Sequence, residues 1–156
     1  MDKFTIGNEA LFSIRLETDG HFASASIFCE SEEMGNNDDY TLLKTFISLL
    51  GSKIKGYDFF LASEIIHLDK DAVYKYVIDG FEQSDNWKES QRLASIWITL
   101  NLTPCFDGEV FILLSNDECD RAIWKQFNSA AVRETFLPPG YVLKQLGFLL
   151  DKFYVK

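Results

Sequence analysis

The chain has 156 residues, of which 47% are hydrophobic and 15% aromatic, and this composition excludes an intrinsically disordered protein. Its 24 acidic residues outnumber its 15 basic residues, which gives a formal net charge of −9 at pH 7. A field of this sign repels phosphate backbones and anionic lipid headgroups, and it attracts basic partners. We therefore expect residues 1–156 to form a single domain that binds neither nucleic acid nor a membrane directly.

The three cysteines, Cys29, Cys105 and Cys119, are widely spaced along the chain. An odd count without short spacing indicates neither a closed disulfide framework nor a zinc knuckle, so we expect reduced thiols, no metal and no cofactor. The N-terminal stretch MDKFTIGNEALFSIRLE has no uninterrupted apolar segment of the signal-peptide type. No apolar run approaches the ~20 residues of a membrane-spanning helix. The sequence thus predicts a cytoplasmic protein.

The first predicted elements form a β-hairpin. Phe12, Ile14 and Leu16 alternate with polar residues, which is the period-2 pattern of a half-buried strand. Asp19-Gly20 then supplies the dipeptide of a tight hairpin turn. The return strand is predicted to run from Phe22 to Glu30.

Two helices are predicted in the middle of the chain. Apolar residues recur at helical spacing between Leu42 and Ile54, and Gly56 follows as a stop signal. A second helical pattern runs from Asp71 to Phe81, with Asp69 as its candidate N-cap. The polar stretch at 83–89 is interpreted as a loop.

The C-terminal part predicts a three-stranded meander followed by a helix. Its strands span 94–102, 109–114 and 121–127, and the turn-forming pairs Asp107-Gly108 and Asn116-Asp117 join them. Pro138-Pro139-Gly140 breaks the chain before a last helix with one apolar stripe. Short hairpins and separate helices predict an α+β fold, with an antiparallel sheet of about five or six strands and about three helices packed against it.

The segment EEMGNNDDYTLL at 32–43 superficially resembles a metal-binding or phosphate-binding loop. An EF-hand loop needs oxygen ligands at alternating positions and a Glu at the twelfth, and this spacing is missing. A carboxylate just before a helix accepts orphan backbone N–H groups and favours its positive end. We therefore interpret Asp38 or Asp39 as the cap of the helix that follows.

Other catalytic motifs are equally weak. Gly51 and Gly56 have phosphate-loop spacing, but Tyr57-Asp58 stands where Lys and Ser or Thr are needed. His21 and His67 are the only histidines, and they form no H-E-x-x-H motif. A Ser, His and Asp triad cannot be judged from sequence, although no G-x-S-x-G elbow is present.

Two acidic clusters and one tryptophan are the candidate partner-binding residues. Acidic clusters of this kind dock cationic protein surfaces, and Trp is favoured at the centre of interfaces. Trp97 lies opposite the aliphatic face of its predicted strand, so it belongs either to an interface or to a core under a second helix layer. The first acidic cluster is Glu30, Glu32, Glu33, Asp38 and Asp39, and the second is Asp117, Glu118 and Asp120.

The order and spacing of six short motifs resemble the immunity protein 42 family. The motifs are Ile6-Gly7-Asn8, Phe12-x-Ile14-x-Leu16, Gly35 with acidic neighbours before the Leu42 helix, Phe106-Asp107-Gly108, Arg121-x-Ile123-Trp124-Lys125 and Leu137-Pro138-x-Gly140. They span nearly the whole chain, although the segment 57–90 contributes none of them.

The resemblance implies an antidote from a bacterial polymorphic or contact-dependent growth inhibition system. Such a protein binds the toxic C-terminal domain of its cognate effector and has no catalytic residue. Because many such toxins are nucleases with basic substrate-binding surfaces, we expect a basic partner whose active site is occluded by the acidic clusters.

Two other function classes remain open at this stage. A small carboxylate-dependent enzyme predicts a concave pocket with converging titratable groups. An acidic adaptor for another basic protein predicts the same acidic face without neutralisation of a toxin.

Overall fold

The computed structural model describes residues 1–35 and 39–154. Within these ranges the fold is α+β, with five helices and two antiparallel sheets. The α+β prediction is confirmed. The single sheet with about three helices was only approximate, because the strands divide between a five-stranded and a three-stranded sheet and two further helices are present.

The first sheet comes from the N-terminal part of the chain. It has the order β1-β2-β3-β4, and β5 also pairs with β3. The predicted hairpin is confirmed as β2 and β3 around Gly20, which has a φ of +99°. The strand β1 was missed because Phe4 and Ile6 are its only large apolar residues. The bounds are β1 Asp2–Asn8, β2 Phe12–Thr18, β3 Phe22–Cys29, β4 Glu32–Met34 and β5 Thr41–Leu42.

The second sheet is a meander of β6 (Val110–Ser115), β7 (Asp120–Lys125) and β8 (Arg133–Leu137). Two of its strands were predicted, and β8 was not. The predicted strand at 94–102 is wrong: a helix extends to Ile96, and Trp97 makes only an isolated bridge to Ile112.

Three of the five helices match the predictions. Asp69 caps α3 as expected, since its side chain accepts a hydrogen bond from Ala72 N at 2.9 Å. The predicted cap of α1 is wrong for Asp39, because Leu42 is the N-cap and contributes no side-chain bond; Asp38 lies outside the described residues. The bounds are α1 Leu43–Lys55, α2 Phe59–Ile65, α3 Lys70–Gln83, α4 Trp87–Ile96 and α5 Tyr141–Phe153.

One hydrophobic core connects the two sheets. The helices α1 and α5 pack on each other and against the first sheet, while α2, α3 and α4 pack against the second. The rings of Phe12 on β2 and Phe111 on β6 meet between the sheets, with centroids 5.5 Å apart. Within 1–35 and 39–154, no helix combines the length and apolar character needed to cross a membrane.

Candidate interaction surface

The first acidic cluster begins in the turn between β3 and β4. Glu30 and Ser31 both have positive φ, 49° and 66°, which is the geometry of a two-residue type I′ hairpin. Their N–H groups donate to Leu11 O and Glu9 O at 3.2 and 2.7 Å. The exposed carboxylate of Glu30 is therefore presented from a turn that is fixed to the β1–β2 turn.

Glu32, in the same cluster, holds the two sheets together. Its carboxylate accepts a hydrogen bond from Trp124 Nε1 at 3.2 Å and pairs with Arg133 Nη1 at 2.8 Å. We call Glu32, Trp124 and Arg133 the inter-sheet latch. The charge of Glu32 is therefore already partly offset inside the protein by Arg133.

Glu33 and Asp39 differ in how far they are engaged. Glu33 lies 3.9 Å from the guanidinium of Arg15, which pairs more closely with Glu9 at 2.7 Å. Asp39 is exposed, and its carbonyl accepts a hydrogen bond from Cys105 Sγ at 3.0 Å. Asp38, the remaining member, lies outside the described residues.

The second acidic cluster divides into two exposed residues and one buried residue. Asp117 and Glu118 are exposed in the β6–β7 turn, and neither carboxylate makes an ion pair with any described residue. Asn116 Oδ1 shapes this turn by accepting hydrogen bonds from Glu118 N and Cys119 N at 2.8 and 2.9 Å. The turn thus presents two carboxylates without internal partners.

Asp120 is 0% exposed and belongs to the interior. Its carboxylate accepts hydrogen bonds from Ser115 Oγ at 2.5 Å, Gly140 N at 2.9 Å and Val142 N at 3.0 Å. Because these backbone groups lie at the N-terminus of α5, the charge also opposes the positive end of that helix. Asp120, which was predicted to contact a partner at the surface, instead has a structural role in the interior.

Glu32 of the first acidic cluster and Asp120 of the second lie near opposite ends of β7. Asp120 pairs with Leu137, whereas Trp124 of the latch pairs with Arg133. Trp124 lies four positions after Asp120, which corresponds to about 13 Å of strand. Glu32 and Asp120 therefore do not belong to one contiguous group of carboxylates.

Trp97 is partly buried and packs against the core. Its ring meets Phe81 edge-on at 5.6 Å, and its carbonyl accepts a hydrogen bond from Lys53 Nζ at 2.9 Å. Its buried indole Nε1 has no hydrogen-bond partner among the described residues. These contacts favour the core alternative over an exposed interface residue.

Two exposed phenylalanines were not among the predicted partner-binding residues. Phe59 and Phe60, at the start of α2, are 55% and 72% exposed. Asp58 caps this helix by accepting from Leu61 N at 2.9 Å, and Tyr57 anchors its start by donating to Leu113 O at 2.6 Å. The buried face of α2 consists of Leu61, Ala62 and Ile65. Phe59 and Phe60 lie outside that face and are exposed.

The exposed ring of Phe59 and the β6–β7 turn border one recess. Its volume is about 480 Å³, and we call it the aromatic recess. Among the described residues, Asp117 is the only titratable side chain in its lining, and the carboxylate of Asp120 already occupies the adjoining helix N-terminus. The lining residues are Phe59, Ser63, Ser115, Asn116, Asp117, Pro139 and Gly140.

A second recess of about 360 Å³ lies between α1 and α4, and Lys53 is the only titratable side chain that the described part of the chain contributes to its lining. Lys53 Nζ donates to Ala94 O and Trp97 O at 3.0 and 2.9 Å, which satisfies carbonyls at the end of α4. Burial lowers the pKa of Lys53 to about 8. Neither recess thus brings together the titratable groups that the enzyme alternative requires.

Comparisons with known proteins agree with the motifs found in the sequence. The model of the family described as Immunity protein 42 matches residues 1–150. The crystal structure of CdiI from Burkholderia dolosa AUO158 has a TM-score of 0.68 and 18% sequence identity, covering 96% of this chain and 99% of that chain. Comparison with curated proteins gives no match. The family resemblance is confirmed, and the structural likeness supports the fold.

Proposed function

The chain belongs to the immunity protein 42 family, and from that premise we propose that it binds and neutralises the toxic C-terminal domain of a cognate effector. The observation that carries the proposal is the family match over residues 1–150, which includes the segment 57–90 that contributed no motif. The structural likeness to a CdiI protein over 96% of the chain supports it.

The proposed mechanism is stoichiometric inhibition, without catalysis, in the cytoplasm. A net charge of −9 steers the protein toward a basic surface such as the substrate-binding cleft of a nuclease. Neutralisation of a few toxin molecules requires an affinity of about nanomolar or better. An interface of about 800 Å² on each partner is sufficient for a specific complex of this kind.

The carboxylates best suited to the contact are those that are exposed and lack an internal ion pair. Of the acidic-cluster members that the structure describes, Glu30, Asp117 and Glu118 meet both conditions. Glu32 and Glu33 are already engaged with arginines. A carboxylate with an internal partner gains less from a new one, because its charge is already partly offset.

The test is isothermal titration of this protein into the toxin domain encoded immediately upstream, together with that domain's nuclease activity. We expect one-to-one binding at about nanomolar affinity and loss of the activity. Absence of binding would contradict the proposal. Binding with full toxin activity would instead favour the acidic adaptor.

A further inference from the structure

The two exposed phenylalanines of α2 are only partly explained by the fold: the ring of Phe59 meets Tyr57 edge-on at 4.7 Å and borders the aromatic recess, and Phe60 follows it in the helix. Phe60 is 72% exposed and Phe59 is 55% exposed, although α2 buries three other apolar side chains. Adjacent exposed aromatic rings leave a large apolar area in water, and such areas mark protein interaction sites. Aromatic residues are also enriched among those that dominate binding energy.

The recess beside them selects for positive charge. Asp117, which has no ion pair among the described residues, lines the recess, and none of the lysines and arginines within 1–35 and 39–154 does. The neighbouring Glu118 is exposed in the same turn. The adjoining N-terminus of α5 does not attract an anion, because the carboxylate of Asp120 already accepts its N–H groups.

The lining combines two groups that bind cations. Phe59 and Asp117 both line the recess. A lysine or arginine side chain between them would gain a cation–π contact and an ion pair together. The volume of about 480 Å³ accommodates a long basic side chain.

We propose that the aromatic recess is the docking site for a lysine or arginine side chain on the basic surface of the toxin domain, with Phe60 packing beside it. This inference rests on the proposed function and assigns its binding face. It places the contact at α2 and the β6–β7 turn and leaves the inter-sheet latch outside the centre of the interface.

The test compares recess variants with matched controls at the opposite end of the second sheet. Asp117→Lys alters the lining of the recess, and Phe60→Ala removes the exposed ring that follows Phe59 in α2. Phe127→Ala and Asp107→Lys make the same changes where β6 begins and β7 ends. Phe127 is also 72% exposed, and Asp107 is exposed beside it. Affinity for the upstream-encoded toxin domain is measured by isothermal titration.

We expect Phe60→Ala to weaken binding by about tenfold and Asp117→Lys by at least about thirtyfold, because each removes a central contact. Both controls should bind within about twofold of the wild type. Asp117→Asn, which keeps the shape of the turn, should also reduce the salt dependence of the affinity. This milder variant decides the question if a larger change impairs folding.

The outcomes separate the inference from the proposed function. If the wild type does not bind the toxin domain, both are overturned. If the wild type binds and inhibits, but Asp117→Asn and the recess variants match the controls, only the docking site is overturned. Losses confined to the controls would likewise reject the recess and move the interface to the other end of the sheet.

Discussion

The inter-sheet latch and the aromatic recess both place acidic residues at the second sheet, but they use the charges differently. In the latch, Glu32 meets Arg133 and the indole N–H of Trp124. In the recess, Asp117 meets no cation among the described residues. The number of carboxylates in a segment therefore does not show where a partner binds. What matters is whether each carboxylate already has a partner inside the protein.

The recess end contains the same contrast within four consecutive residues. Asp117 is exposed, whereas Asp120 is fully buried and accepts three hydrogen bonds. Both belong to one acidic cluster in the sequence. Asp120 therefore stabilises the fold, whereas the exposed Asp117 is the candidate for contact with a partner.

The largest expected effect is on stability and comes from Asp120→Ala. This change leaves Ser115 Oγ and the amides of Gly140 and Val142 without their acceptor, and it removes a charge from the N-terminus of α5. We expect the free energy of unfolding to fall by about 3 kcal/mol, measured by urea denaturation. Asp117→Ala is the control and should change it by less than about 0.5 kcal/mol. Equal effects would contradict the assignment of Asp120 to the interior.

A smaller effect is expected at the latch. Glu32→Ala removes the carboxylate shared by Trp124 and Arg133, so the free energy of unfolding should fall by about 1 to 2 kcal/mol. The affinity for the toxin domain should change by less than about threefold, because the latch stabilises the fold. A larger loss of affinity in a variant of normal stability would show that the toxin domain binds at the latch and not at the recess.

The smallest effect concerns Lys53, a partly buried charge that belongs to neither region. Its pKa is lowered to about 8 in the folded state, against an ordinary value of 10.5. The unfolded chain therefore binds more protons between these values, and the contribution of Lys53 to the free energy of unfolding rises with pH across that window.

Lys53→Met provides the comparison for this effect. Between pH 7 and pH 9.5, the difference in stability between wild type and variant should shift in favour of the wild type by on the order of 1 kcal/mol. The contributions of other titrating groups, such as Cys29 and Tyr57, cancel in this difference. A constant difference would show that the Lys53 amine is well solvated.

Elements whose apolar pattern is local to their own residues were predicted correctly. The alternation of Phe12, Ile14 and Leu16 identifies β2, and apolar spacing identifies α1 and α5, because one face of each element is buried. The seven-residue helix α2 is too short for such a pattern. The apolar run around Ile98 favoured a strand, but the preceding residues form α4 and end at Ile96.

The candidate site was harder to predict, because the role of each of its residues depends on residues far away in the sequence. Glu32 and Arg133 are far apart in sequence, so their pairing is visible only in the fold. Asp120 is grouped with Asp117 by sequence, and only the return of the chain at Gly140 shows that it is a cap. The exposure of Phe60 follows from the position of α2, which was missed.

Amide hydrogen exchange of this protein, free and bound to the upstream-encoded toxin domain, tests the central claim most directly. It reports on the latch and the recess in one experiment, without substitutions. The account predicts slower exchange on binding at 59–63 and 116–118, with little change in the β3–β4 turn at 30–33. Slowing confined to 30–33, with 59–63 unchanged, would contradict it.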